Sequence, residues 1–156
     1  MNEKQAKKRI SKIKIETEKL NREAAELQEI IDSKANVMLR IKTFADACIE
    51  CGSTEKEFND KYLNIGLRED TINYERIVII IRALNEGWTP NWSNTNERKW
   101  YPYFNAASFG FDGTDCDGWG ASTTAGSRLC LKSQELAEYA GTQFTDIYKA
   151  FMIIDK

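Results

Sequence analysis

The chain contains no histidine. That absence removes the side chain that most often serves as a general base near neutral pH, the commonest metal ligand, and every Ser-His or Cys-His dyad. Proline is almost as scarce, with only Pro90 and Pro102 in 156 residues, so long uninterrupted helices are permitted. No apolar run approaches the roughly 20 residues of a membrane-spanning helix. The longest, IVIII at 77–81, is far shorter. The basic start, MNEKQAKKRISKIK, leads into no apolar signal-peptide core. Together these absences predict a soluble, cytoplasmic protein with no membrane segment, no metal, no cofactor and no enzymatic activity.

Charge is unevenly placed. Residues 1–42 hold 11 basic and 7 acidic side chains, whereas residues 43–156 hold 11 and 17. A basic arm on an acidic body argues against a body wrapped in nucleic acid, because such binding rests on neutralising phosphates. Apolar residues make up 42% of the chain, enough to close one modest core.

From Ile10 the apolar residues fall on a heptad. One seam position carries Ile10, Thr17, Ala24, Ile31 and Met38, the other Ile13, Leu20, Leu27, Lys34 and Ile41. Glu and Lys fill most positions between, and neither Pro nor Gly interrupts, which is the pattern of a coiled coil or long packed helix. The expected architecture is therefore a coiled-coil arm over 1–41 and a body over 42–156. Ile10, Ile13, Leu20, Ala24, Leu27, Ile31, Met38 and Ile41 would form the surface of a homo-oligomer. The alternative is that the helix folds back on its own body. NREAAELQ at 21–28 echoes the core of a basic-zipper reading helix, but its flanks are acidic and the heptad runs through it. The basic cluster from Lys4 to Lys14 reads as a solvated helix end.

The body is expected to be α+β: helices packed on a short three-stranded antiparallel sheet, closed by a C-terminal helix. Thr43 with Asp46, and Thr54 with Glu57, mark the starts of two short helices. A longer helix over about 70–86 stops at Gly87, its centre apolar on more than one face. KWYPYFN at 99–105, SFGFDG at 108–113 and SRLCLK at 127–132 read as strands, the first at an edge because Pro102 cannot donate to a ladder. Ser133 caps a last helix over about 134–153, with Leu136, Ala137, Ala140, Phe144, Ile147, Tyr148 and Phe151 on its apolar face. Gly141 inside it marks the close approach of another element.

The chemistry-bearing clusters are weak. Cys48 and Cys51 form a Cys-x-x-Cys pair, but they sit in a helix, and thirteen residues separate Cys116 from Cys130, so free thiols are expected rather than zinc or redox chemistry. DGTDCDG at 112–118 keeps two of the five calcium-loop ligands and reads as a polar turn. Its glycines lack the lysine of a phosphate loop. Nothing in the spacing of Asp112, Asp115, Asp117 and Glu135 selects an acid–base pair. The window 87–119 holds all four tryptophans. Trp100, Phe104, Phe109 and Phe111 are expected in the core, and Trp92, Tyr101, Tyr103 and Trp119 on the surface. With Arg98, Lys99 and Arg128 these surface aromatics could stack on single-stranded nucleic acid or a nucleotide. That is the alternative; the leading expectation is that loops 88–98 and 112–126 meet a protein partner, a virion component or a host factor.

KTFADAC, RALNEGWTPNWSN, KWYPYF and GSRLCLKSQELAEYAGTQFTDIYKAFM together resemble a family of small proteins from Bacteroidetes phages and prophages, over 42–152. The resemblance implies a mobile-element origin, a compact α+β body and a bacterial host cytoplasm or a virion as its place of action. It carries over no site residues. Members begin near the equivalent of KTFADAC, so residues 1–41 read as an added arm.

Overall fold

The structure is a computed structural model that describes residues 2–108, 110–117, 123 and 125–153, with backbone alone at 32–35, 116 and 117. The expected sites at Phe109 and Trp119 lie outside the described residues. The chain divides into two compact units, Met1–Leu39 and Arg40–Lys156. Among the described residues it forms seven helices and one two-stranded antiparallel sheet.

The first unit is dominated by α1 (Glu3–Ala35), 33 residues rich in good helix formers. Asn2 and Gln5 cap it reciprocally: the Gln5 amide donates to Asn2 Oδ1 at 2.9 Å, and the Asn2 amide to Gln5 Oε1 at 3.0 Å. Ile10, Ile13, Leu20, Leu27 and Ile31 are each 53–59% exposed. The helix breaks at Asn36, whose side chain accepts from the Met38 amide before the single turn α2 (Val37–Arg40). The break interrupts the heptad before its last two expected positions. Met38 is half-buried, and Ile41 is not a seam residue at all. It is buried in the body, its carbonyl accepting from the Tyr139 hydroxyl at 2.8 Å.

In the body, α3 (Phe44–Glu50) and α4 (Glu55–Tyr62) start where their capping boxes place them, Thr43 with Asp46 and Thr54 with Glu57. The core is built on α5 (Glu69–Asn85), which buries Ile77, Ile80, Ile81 and Leu84 against α3 and α7. Its end is set by two successive left-handed residues, Glu86 at φ 48° and Gly87 at φ 85°. β1 (Lys99–Asn105) pairs with β2 (Gly110–Asp117). α6 (Gln134–Gln143), capped by Ser133, lies on this hairpin, and α7 (Thr145–Met152) returns along α5.

Three expectations need correction. The second strand begins later and runs through DGTDCD, so 112–117 is strand rather than loop. Tyr103 pairs with Gly113 and Phe104 with Phe111, leaving Asp112 as the extra residue of a bulge, and Gly113 at φ 148° adopts a conformation open mainly to glycine. The third strand is absent: 127–132 is a turn with one bridge, Leu131 exchanging both backbone hydrogen bonds with Trp100. A side chain occupies the opposite edge. Asn85 Nδ2 donates to the Cys130 carbonyl at 2.8 Å, and Asn85 Oδ1 accepts from the Lys132 amide at 3.0 Å. One buried carboxamide thus satisfies the two groups that another strand would have taken. The single C-terminal helix is two, broken at Phe144, where the Thr145 hydroxyl donates to the Gly141 and Thr142 carbonyls.

Ion pairs tie the body's helix ends together. Glu86 joins Arg40 at 2.7 Å and Lys132 at 2.9 Å, and Arg40 also binds Glu50. Lys132 and Arg40 hold the Glu86 carboxyl below its ordinary value of 4.5, and the Thr43 hydroxyl and neighbouring amides hold Asp46 below 3.8. A carboxyl depressed by folding contributes stability that is present above its unfolded value and lost as pH falls through its folded one. The urea midpoint should therefore stay level between about pH 6 and 8 and decline below about pH 4.5. Glu86→Gln should lower the plateau and flatten the acid limb. An unchanged limb would place the acid sensitivity elsewhere.

Candidate binding cleft and its flanking loop

β1 presents alternate side chains to two environments, and beside it a cleft of about 370 Å³ opens on the body. Tyr101, Pro102 and Tyr103 supply the strand side, and Tyr148, Phe151 and Met152 supply the opposite side from α7. Phe104 packs its ring 4.9 Å from that of Tyr148, and Leu129 contributes from the 127–132 turn. Tyr103 is 57% exposed. Tyr148 is buried, its hydroxyl has no hydrogen-bond partner among the described residues, and burial pushes its phenol well above the ordinary 10. Among the described residues, no carboxylate, amine or thiol lines the cleft. Its volume is at the low end for a ligand site, enough for one or two apolar side chains of a partner. The lining favours apolar and aromatic contact rather than proton transfer.

The loop 88–98 is organised around Lys99, which the sequence suggests as a surface cation. The structure buries it, leaving 2% exposed, with Nζ donating to the carbonyls of Asn94 at 3.0 Å and Glu97 at 2.6 Å. The Glu97 carboxylate lies 3.4 Å from the ammonium, and the Trp92 ring centroid 5.4 Å. A buried ammonium is tolerable only with such a set of acceptors, and this one is committed to its own loop. Trp92 Nε1 donates to Ser127 Oγ at 2.7 Å, pinning the loop to the turn that carries Leu129. Asn91 and Asn94 each accept from the amide two residues on, shaping the chain locally.

The remaining candidates divide between surface and interior. Arg98 and Arg128 are exposed, Arg98 lying over the Trp100 ring at 5.8 Å. Tyr101 and Tyr103 meet at the cleft, while Trp92 is half-buried under its loop. Trp100, Phe104 and Phe111, expected in the core, are only half-buried, because the core forms between helices and around Cys130 and Leu131. In the sequence, Tyr148 and Phe151 fall on a packing face with nothing to link them to Tyr101 and Tyr103. Their helical spacing was visible, but α7's approach to β1 was not.

Cys48 and Cys130 are buried and Cys51 half-buried, and Cys48 and Cys51 are free thiols. Burial raises the Cys48 and Cys51 thiols above 9.0, which disfavours the thiolate. Among the described residues, no three His, Cys, Asp or Glu side chains gather to hold a metal ion, and no helix is long and apolar enough to cross a membrane. No protein-family model, curated protein or solved structure matches the chain.

Proposed function

We propose that the chain is a non-catalytic binding and assembly protein that self-associates through α1 and offers its body to a protein partner. The binding face comprises the 88–98 loop, the exposed part of 112–126 and the apolar cleft between β1 and α7. Phage origin is part of this proposal and rests on the sequence motifs at 42–152. The observation that carries it is α1: 33 residues of helix whose isoleucines and leucines all stand exposed to water. An isolated helix of that kind draws most of its stability from packing its apolar face. The reading as a single-stranded nucleic-acid binder is weakened, because Lys99 is enclosed and Arg98 and Arg128 sit on an acidic body.

The test is sedimentation of the full chain beside a Leu20→Glu/Leu27→Glu variant. Both positions are exposed in the single chain, so the substitutions leave the body intact. The parent should sediment as an oligomer at micromolar concentration. The variant should associate at least roughly a hundredfold more weakly, as expected for losing about 3 kcal/mol of apolar burial. A monomeric parent at tens of micromolar, on the order of the range where such helices pair, would remove the proposal.

A further inference from the structure

We infer that α1 pairs with α1 of one second copy, running antiparallel; this rests on the self-association proposed above. Charge along the helix is segregated. Lys4, Lys7, Lys8, Arg9, Lys12 and Lys14 lie in its first part with Glu3 alone against them. Glu16, Glu18, Glu23, Glu26 and Glu29 follow, countered only by Lys19 and Arg22 over the same stretch. All of these side chains are exposed. A parallel pair in register would set the basic parts side by side and the acidic parts side by side. An antiparallel pair overlapping over the whole helix sets residues 4–14 of one copy beside residues 23–33 of the other, so basic lies against acidic. Helices in a pair sit about 8–10 Å apart, close to the Debye length at physiological salt, so these charges are felt.

The seam points the same way. In a parallel pair, like layers stack: Thr17 on Thr17 and Ala24 on Ala24, two thin layers that leave space. In the antiparallel overlap, Ile10 meets Leu27, Ile13 meets Ala24, and Leu20 meets Thr17. Every layer then contains at least one large side chain, and none contains two small ones. The Thr17 hydroxyl already donates to the Ile13 carbonyl at 2.8 Å, so it enters the seam satisfied. Each arrangement has one like-charged close approach, Arg9 with Lys14 of the second copy when parallel and Glu16 with Glu23 when antiparallel. These offset one another, and layer packing with segment charge decides.

Cross-linking of full-length chains tests the orientation. Ile10→Cys and Leu27→Cys variants are prepared separately and mixed, then held in a glutathione redox buffer, with the parent chain as the blank for its own cysteines. The antiparallel pair predicts a dimer-mass band that forms only in the mixture. Ile10→Cys alone would not cross-link, since its two thiols sit roughly 25 Å apart along the axis at about 1.5 Å per residue, far beyond disulfide reach. Self-cross-linking of each variant with no gain on mixing would establish the parallel pair and overturn the inference. A parent that sediments as a dimer but gives no mixed band, or as more than two copies, overturns it as well. A parent that sediments as a monomer removes the self-association reading itself, and that result is read without any cross-link.

Discussion

Gly141→Ala should destabilise the body by about 2 kcal/mol, a change opposite in sign to the usual effect of this substitution inside a helix. In a solvent-facing helix, alanine in place of glycine stabilises by about 0.5–1 kcal/mol. Here a Cβ would lie 2.6 Å from Phe111 Cε2 and 2.8 Å from Pro102 Cβ. The Phe111 ring is half-buried and can swing, but the Pro102 ring is fixed to the backbone of β1, so α6 and the hairpin must separate. Overpacking of that kind costs about 1–3 kcal/mol and outweighs the helix term. Urea unfolding of both chains decides the matter: a lower midpoint with an unchanged slope is expected. An unchanged or raised midpoint would show that hairpin and helix are less tightly seated than the structure has them.

Asn85→Ala should cost about 3 kcal/mol. The asparagine sits almost fully buried at the end of α5, and its carboxamide serves the Cys130 carbonyl and the Lys132 amide together. Truncation leaves both groups without that partner, each at about 1–3 kcal/mol where water cannot reach. Asn85→Asp separates the two bonds. It keeps an acceptor for the Lys132 amide but has no donor for the Cys130 carbonyl when ionised, so its stability should recover partly as pH is lowered towards protonation. Thermal unfolding of the two variants at neutral pH and near pH 5 reads this difference. Equal, small losses in both would mean that the 127–132 turn holds its shape without the asparagine.

What the sequence made legible was local. The Thr43–Asp46 and Thr54–Glu57 boxes, Ser133 and the range of β1 depend on residues within a few positions of each other, and the structure has each where the pattern puts it. What was not legible depends on partners far along the chain. DGTDCD reads as a turn by composition and becomes strand because β1 offers it a register. The alternation at 127–132 reads as strand, but Asn85, some 45 residues earlier, takes one edge, and only Leu131 bridges the other. For the candidate site, Tyr101 and Tyr103 were visible as surface aromatics, whereas the α7 wall of the cleft was not. Lys99 was misplaced because a cation in a strand reads as outward-facing. Only the fold of the loop over it shows acceptors enough to keep it inside.

The edge of β1 has a last consequence, for how this protein avoids clumping. Backbone groups alternate sides along a strand, so those of Trp100 and Pro102 face away from β2. Trp100 already exchanges both of its hydrogen bonds with Leu131, and Pro102 has no N–H to offer. Another chain approaching that edge in extended form finds one position taken and the next without a donor, so strand-by-strand growth into an aggregate has no template there.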